Sequence, residues 1–307
     1  MKYKLLKSFI GILLSYSIIN IEAKAYEEKI VSSVEYQDES MNYYKKGRDS
    51  YLKLGEKDLR ESLELYDKGL EINKNNPLLY AGKVETLYLL YFYQILRYES
   101  NIEQAKLKNE IIKNATFAYD INPNLVETHR AMSISYTTQE LSSLAQEEAK
   151  KSLEIDKTNG ESYLWLWAVE EKLDPKDKNI ITASNILPNS SLVNLFWAIG
   201  YDFNGKGEWI KEPQIKLLNT IIDNNPDNDI AYTILGKWYY KYKKDKDKAI
   251  QSFEKAIEIN DKNPQAYYNL GIIYSKKKMN YKAVNYYKRA CELKIKDACN
   301  ELRNLNY

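Results

Sequence analysis

Histidine and cysteine are nearly missing from this 307-residue chain, which has only His129, Cys291 and Cys299. With so few, no zinc site of ordinary ligand spacing can be assembled. Glycine and proline are also sparse, at 11 and 7. No Walker phosphate loop, G-x-S-x-G elbow or H-E-x-x-H helix occurs. Gly205-Lys206-Gly207 has no strand before it and reads as a turn. Asp223 to Asp229 lacks the glycine and terminal glutamate of a calcium loop and reads as a solvated turn. Carboxylates are plentiful, but no pair is singled out for acid–base work. Together these absences leave no catalytic residue, metal ligand or cofactor to nominate, and the chain is expected not to be an enzyme.

The N-terminal apolar stretch Phe9 to Ile21 is interrupted at Gly11, Ser15, Ser17 and Asn20. It falls short of the roughly 20 residues of a membrane-spanning helix. Basic residues precede it, and Ala23-Lys24-Ala25 follows with small residues two apart. This is the three-part pattern of a secretory signal peptide, 1–25, with cleavage after Ala25. No cysteine lies near Ala25 for lipid attachment. Residues 26–40 carry no apolar period and read as a flexible lead-in. The chain is therefore expected to be exported, to a periplasm or beyond the cell, with no stable membrane insertion after cleavage.

Whole-chain charge is +2. Without residues 1–25 the body is near neutral, so no nucleic-acid partner is expected and no electrostatic footprint argues for an anionic membrane. Charged residues make up 29%, and the chain is too apolar for disorder. Its 28 tyrosines suit a core whose residues keep a wet hydroxyl edge.

A repeat organises the rest. Tyr232, Leu235, Gly236 and Tyr239 are followed by Ala249, Phe253 and Ala256; Tyr267, Leu270, Gly271 and Tyr274 are followed by Ala283, Tyr287 and Ala290. The second-helix marks recur at 34 residues and the first-helix marks at 35, a period that means stacked helical hairpins. The clearest units are 228–262 and 265–298, and 296–307 reads as a cap. Weaker copies begin near Met41, Leu78, Pro123, Gly160 and Pro188, so 41–307 is one array of about seven hairpins. Pro123 to Tyr136, Pro188 to Tyr201 and Pro226 to Tyr239 share one spacing of 13 residues. Glycine and alanine at the marked positions let paired helices approach, while Tyr, Leu and Phe fill the gaps between hairpins. Tyr88 to Tyr98 is apolar on nearly every side: either a helix buried between neighbours or an exposed aromatic docking face.

These residues resemble the tetratricopeptide repeat. The resemblance implies an all-α, right-handed superhelical solenoid with a C-terminal capping helix. The family's early tryptophan is replaced by His129, Tyr163, Tyr232 and Tyr267, which are read as packing residues. The resemblance further implies a concave groove, lined by first helices, that holds a protein or peptide partner. On this register the groove contains Glu85, Tyr88, Arg130, Lys237, Tyr240, Tyr268 and Lys276. Only Asn269 matches the family's carboxylate clamp, and Lys237 stands where the clamp wants another asparagine, so C-terminal carboxylates are not expected as ligands. Cys291 and Cys299, spaced C-x7-C, are similar to the cysteines of Sel-like repeats of secreted bacterial proteins. That likeness implies a disulfide across the final cap, contributing about 2–3 kcal/mol.

The function expected is a non-catalytic binding scaffold in a bacterial cell envelope. The alternative is a structural part of an envelope assembly or secretion complex, docked through 88–98. An intact mass of the exported protein lacking residues 1–25 is the expected outcome; a mass that retains them refutes the cleavage site.

Overall fold

The computed structural model describes residues 39–96, 101–170, 173–203 and 213–305. The expected signal peptide, most of the expected lead-in, Tyr98 and Gly205-Lys206-Gly207 lie outside them. Among the described residues there are fifteen α-helices and no strand. They are α1 (Glu39–Tyr51), α2 (Glu56–Ile72), α3 (Pro77–Leu96), α4 (Asn101–Ile121), α5 (Val126–Thr138), α6 (Ser142–Ile155), α7 (Gly160–Ala168) and α8 (Lys178–Ile186). Then follow α9 (Ser191–Phe203), α10 (Pro213–Asn224), α11 (Asp229–Trp238), α12 (Lys246–Ile259), α13 (Pro264–Lys276), α14 (Asn280–Glu292) and α15 (Lys296–Asn304). A π-helical turn, Tyr239–Lys243, extends α11. The helices pair in order as seven hairpins, and α15 closes the array. The fold is the all-α superhelical solenoid that the repeat pattern implies.

Two local devices shape the turns. Between units, a side chain first caps the turn and a second caps the next helix. Asn260 Oδ1 accepts from Lys262 N at 3.0 Å, and Asn263 Oδ1 accepts from Ala266 N at 3.0 Å. Asn225 and Asn228 repeat the pair before α11, and Asp156 and Asn159 repeat it before α7. Each satisfies backbone donors that a helix start would leave orphaned. Within units 3 and 7, the turn is a Schellman motif. Met279 N donates to Tyr274 O and Lys278 N to Ser275 O, both at 2.9 Å, with Lys278 left-handed at φ 58°. Glu140, φ 64°, holds the same place between α5 and α6.

Close approach of paired helices explains the Leu-Gly slot. A Cβ on Gly271 would lie 2.5 Å from the Tyr287 ring, and one on Gly236 would lie 2.7 Å from Phe253. Ala249, Ala256, Ala283 and Ala290 are fully buried. One apolar core runs from Tyr51 to Leu235, and a second covers α12 to α15. Tyr239 packs against both.

Units 1 and 6 also touch, which nearest-neighbour stacking does not require. Asn225 Nδ2 donates to Lys53 O at 2.5 Å, and Asn228 Nδ2 donates to Leu54 O at 3.4 Å, across more than 170 residues. Asp223 to Asp229 is therefore not a wholly solvated turn: Asn225, Asn228 and Asp229 are buried. The superhelix is tight enough for the first intra-hairpin turn to meet Asn225 and Asn228.

Gly271→Ala is expected to destabilise the protein by about 1–3 kcal/mol through overpacking against Tyr287, despite the better helix propensity of alanine. Urea unfolding reads this as a lower midpoint at unchanged slope.

Candidate functional site: a closed charged hub and a tyrosine-lined C-terminal face

The seven residues expected to line one groove fall into two groups. Glu85, Tyr88 and Arg130 lie inside the first four units. Lys237, Tyr240, Tyr268 and Lys276 lie on the last two.

The first group is buried. Arg48 on α1, Glu85 on α3, Arg130 on α5 and Glu161 on α7 form a ring of alternating charge. Arg130 Nη2 donates to Glu85 Oε1 at 2.8 Å and lies 3.0 Å from Glu161 Oε2. Arg48 pairs with Glu85 through one amino group and with Glu161 through the other. Arg130 Nη1 also donates to Asn159 Oδ1 at 3.0 Å. Glu85 and Arg130 are 1% and 3% exposed, so neither offers a surface to a partner. Burial opposes ionisation of Glu161, but Arg48 and Arg130 outweigh it and hold the carboxyl below its usual range. Burial likewise opposes charge on Arg48, and Glu161 and Glu85 more than offset it. Burial pushes the neighbouring Tyr44 phenol up to about 12.

Aromatic rings fill the space beside the ring of charges. Tyr88 meets Trp165 edge-on at 5.2 Å, and Phe92 stacks on Phe196 at 5.8 Å. Tyr88, Leu89 and Tyr93 are buried, and Tyr93 Oη donates to Leu54 O at 2.8 Å. Of the two readings of this aromatic helix, its described part fits the buried one. Two clefts that share Glu161 in their walls measure 520 and 290 Å³. His129 is buried, with Nδ1 2.6 Å from Glu148 Oε2 and its ring edge-on to Tyr119. It has the packing place expected of it, with a hydrogen-bond partner, Glu148, that the repeat pattern did not point to.

The second group is accessible. Lys276 Nζ sits 5.4 Å over the Tyr240 ring, bringing α13 against the π-turn of α11. Tyr268 lies 6.0 Å from Tyr287. Burial raises the Tyr287 phenol to about 12, with Glu301 of α15 adding to the effect. Tyr240 and Tyr268 are half-buried and Lys276 is exposed. Lys237 is half-buried one helical turn before Tyr240. The extra residue per turn in a π-segment displaces the side chains that follow it. Cys291 and Cys299 form a disulfide, Cα–Cα 4.9 Å, joining α14 to α15 beneath this face. Among the described residues no cluster could hold a metal ion, and no helix is long and apolar enough to cross a membrane.

Glu85→Ala is expected to cost about 3–5 kcal/mol, because it leaves the buried Arg130 and the half-buried Arg48 short of a partner. Acid should act in the same direction. The depressed Glu161 pKa contributes stability above the usual carboxylate pKa, about 4.3, and that contribution is lost as pH falls through the folded value. Urea midpoints between neutral and acid pH check both effects.

Two family models match the chain. One, described as TPR repeat, covers residues 242–278; the other, described as tetratricopeptide repeat, covers 264–294. A curated relative, interferon-induced protein with tetratricopeptide repeats 2 of Cricetulus griseus, is 29% identical over 182 residues, covering 51% of this chain and 37% of its own length. Among solved structures, the anaphase-promoting complex hetero-tetramer Cut9-Hcn1 has a TM-score of 0.68 at 18% identity, covering 90% of this chain and 51% of that one. Human IFIT1 bound to m7Gppp-AAAA has a TM-score of 0.64 at 15% identity, covering 81% and 58%. The chain thus spans only part of each relative's length, and at these identities the structural likeness shows the fold alone. Residues 242–294 carry tetratricopeptide repeats, and the described chain has the fold of a tetratricopeptide-like solenoid.

Proposed function

We propose that the protein is a non-catalytic scaffold of a bacterial cell envelope, periplasmic or extracellular, that holds a protein or peptide partner on the concave face of its last two repeat units. Repeats of this kind support protein binding. One observation supports a site at the C-terminal end: the Lys276–Tyr240 contact, with Tyr268 nearby, is accessible, whereas the equivalent first-helix positions of the early units are filled by the charged ring and the aromatic stack. Tyrosines over lysine stems give a partner flat, amphipathic contact area at little entropic cost. A peptide in extended or helical form fits such a strip. The envelope setting rests on the signal-like residues 1–25 and agrees with the disulfide, which oxidising compartments maintain. Docking through the aromatic helix is the weaker reading, because Tyr88, Leu89 and Tyr93 already pack inside.

A photo-crosslinking side chain placed at Tyr268 in living cells is expected to capture a discrete partner, and Lys237→Glu with Tyr240→Ala is expected to abolish the adduct. The same side chain at Ile102, exposed on α4, serves as the control. An equal adduct from Ile102, or one that survives the double substitution, refutes the site.

A further inference from the structure

Near-neutrality of the whole chain hides a strong separation of charge. Residues 237–296 hold sixteen Lys and Arg against six Asp and Glu, a net +10 in a chain of net +2. The remainder is therefore at −8. The positive charge gathers at the two intra-hairpin turns of units 6 and 7, on one edge of the solenoid. Lys244 and Lys246 are exposed on the first turn; Lys277, Lys278 and Lys282 are exposed on the second. Lys277 Nζ lies 2.8 Å from Asp247 Oδ1, which ties the two turns side by side. The corresponding turn of unit 3 carries Glu140 at the left-handed position that Lys244 and Lys278 occupy here.

Two further features identify what this edge meets. All twelve basic residues from 237 to 282 are lysine. Arginine forks are the means of fixing carboxylates or phosphates in register, while lysines act as hydrated point charges on flexible stems. Between the lysines of the second turn stand Met279 and Tyr281, 42% and 79% exposed. A laterally uniform anionic surface with an apolar layer beneath it requires no register and rewards this combination.

We propose that this edge docks peripherally on an anionic lipid bilayer, with the lysines at the headgroups and Met279 and Tyr281 entering the interface. The concave face, a separate surface, stays open to its protein partner. Neither reading depends on the other.

The test is co-sedimentation with phosphatidylcholine vesicles, with and without phosphatidylglycerol, using the full chain and the chain from Tyr26 in parallel so that the apolar segment 9–21 is accounted for. Both chains are expected to bind the anionic vesicles in a salt-sensitive way. Lys277→Glu, Lys278→Glu and Lys282→Glu together should weaken binding at least about tenfold. Tyr281→Ser should weaken it without changing charge. An equal charge change at exposed Lys45, Lys68 and Lys106 should have little effect. Circular dichroism and melting confirm that each variant folds. Equal binding by the two triple variants overturns the proposal, as does binding that only residues 1–25 confer. Binding to polyglutamate or RNA without vesicle binding also overturns it, as does salt-sensitive self-association in place of vesicle binding. Failure of the otherwise unaltered chain to give a Tyr268 crosslink, with vesicle binding intact, would refute the scaffold site and leave this proposal standing.

Discussion

The pairing of Arg48 with Glu161 governs the shape of the molecule. Those residues belong to the first helices of units 1 and 4, and their contact joins the ends of an arc that Glu85 and Arg130 complete from the inside. Buried ion pairs seldom add net stability over a well-packed apolar core, yet losing one member is costly. Such a cluster therefore favours one arrangement strongly over its neighbours. Here it selects a superhelix narrow enough for its inner helices to touch across the axis. Everything nearby follows from that narrowness: the aromatic stack over α3, α7 and α9, the loss of an open groove, and the contact of Leu54 with Asn228.

The C-terminal end is built differently. Beyond the contact of Asn228 with Leu54, its two units pack on their neighbours, their concave side is left to tyrosine and lysine, and a disulfide fixes the capping helix. The molecule thus combines a self-filled body with an open terminal segment. Charge follows the same division, with the excess of lysine confined to the open part.

Much of this was legible in the residues. Hairpins, turns and the small-residue contacts follow from a period in which Gly271 faces Tyr287 and Gly236 faces Phe253, because helix pairing is a local property. The groove was not legible in the same way. Glu85 and Arg130 stand at first-helix positions that face inward in any such array. Whether inward means open or filled depends on curvature, which arises from contacts between residues 113 apart, as for Arg48 and Glu161. A sequence signal for the ring did exist: charges of alternating sign at Arg48, Glu85, Arg130 and Glu161, one for each successive first helix. Its meaning required knowing that the four helices meet. The charge separation was also present in the sequence, but whole-chain summation concealed it. The Asn225 and Asn228 contacts had no signal beyond a capping pattern shared with other turns.

The contact between units 1 and 6 has a consequence in time. In an ordinary repeat array each unit needs only the next one, and the chain can fold as it emerges. Here Leu54 is fully buried, and the side chains of Asn225 and Asn228 reach its carbonyl and that of Lys53 from more than 170 residues downstream. The first hairpin is thus made early and finished late. Closing so long a loop is an entropic step that local stacking never faces. Until it closes, the leading end of the array remains an incomplete surface, awaiting a part of its own chain not yet in place.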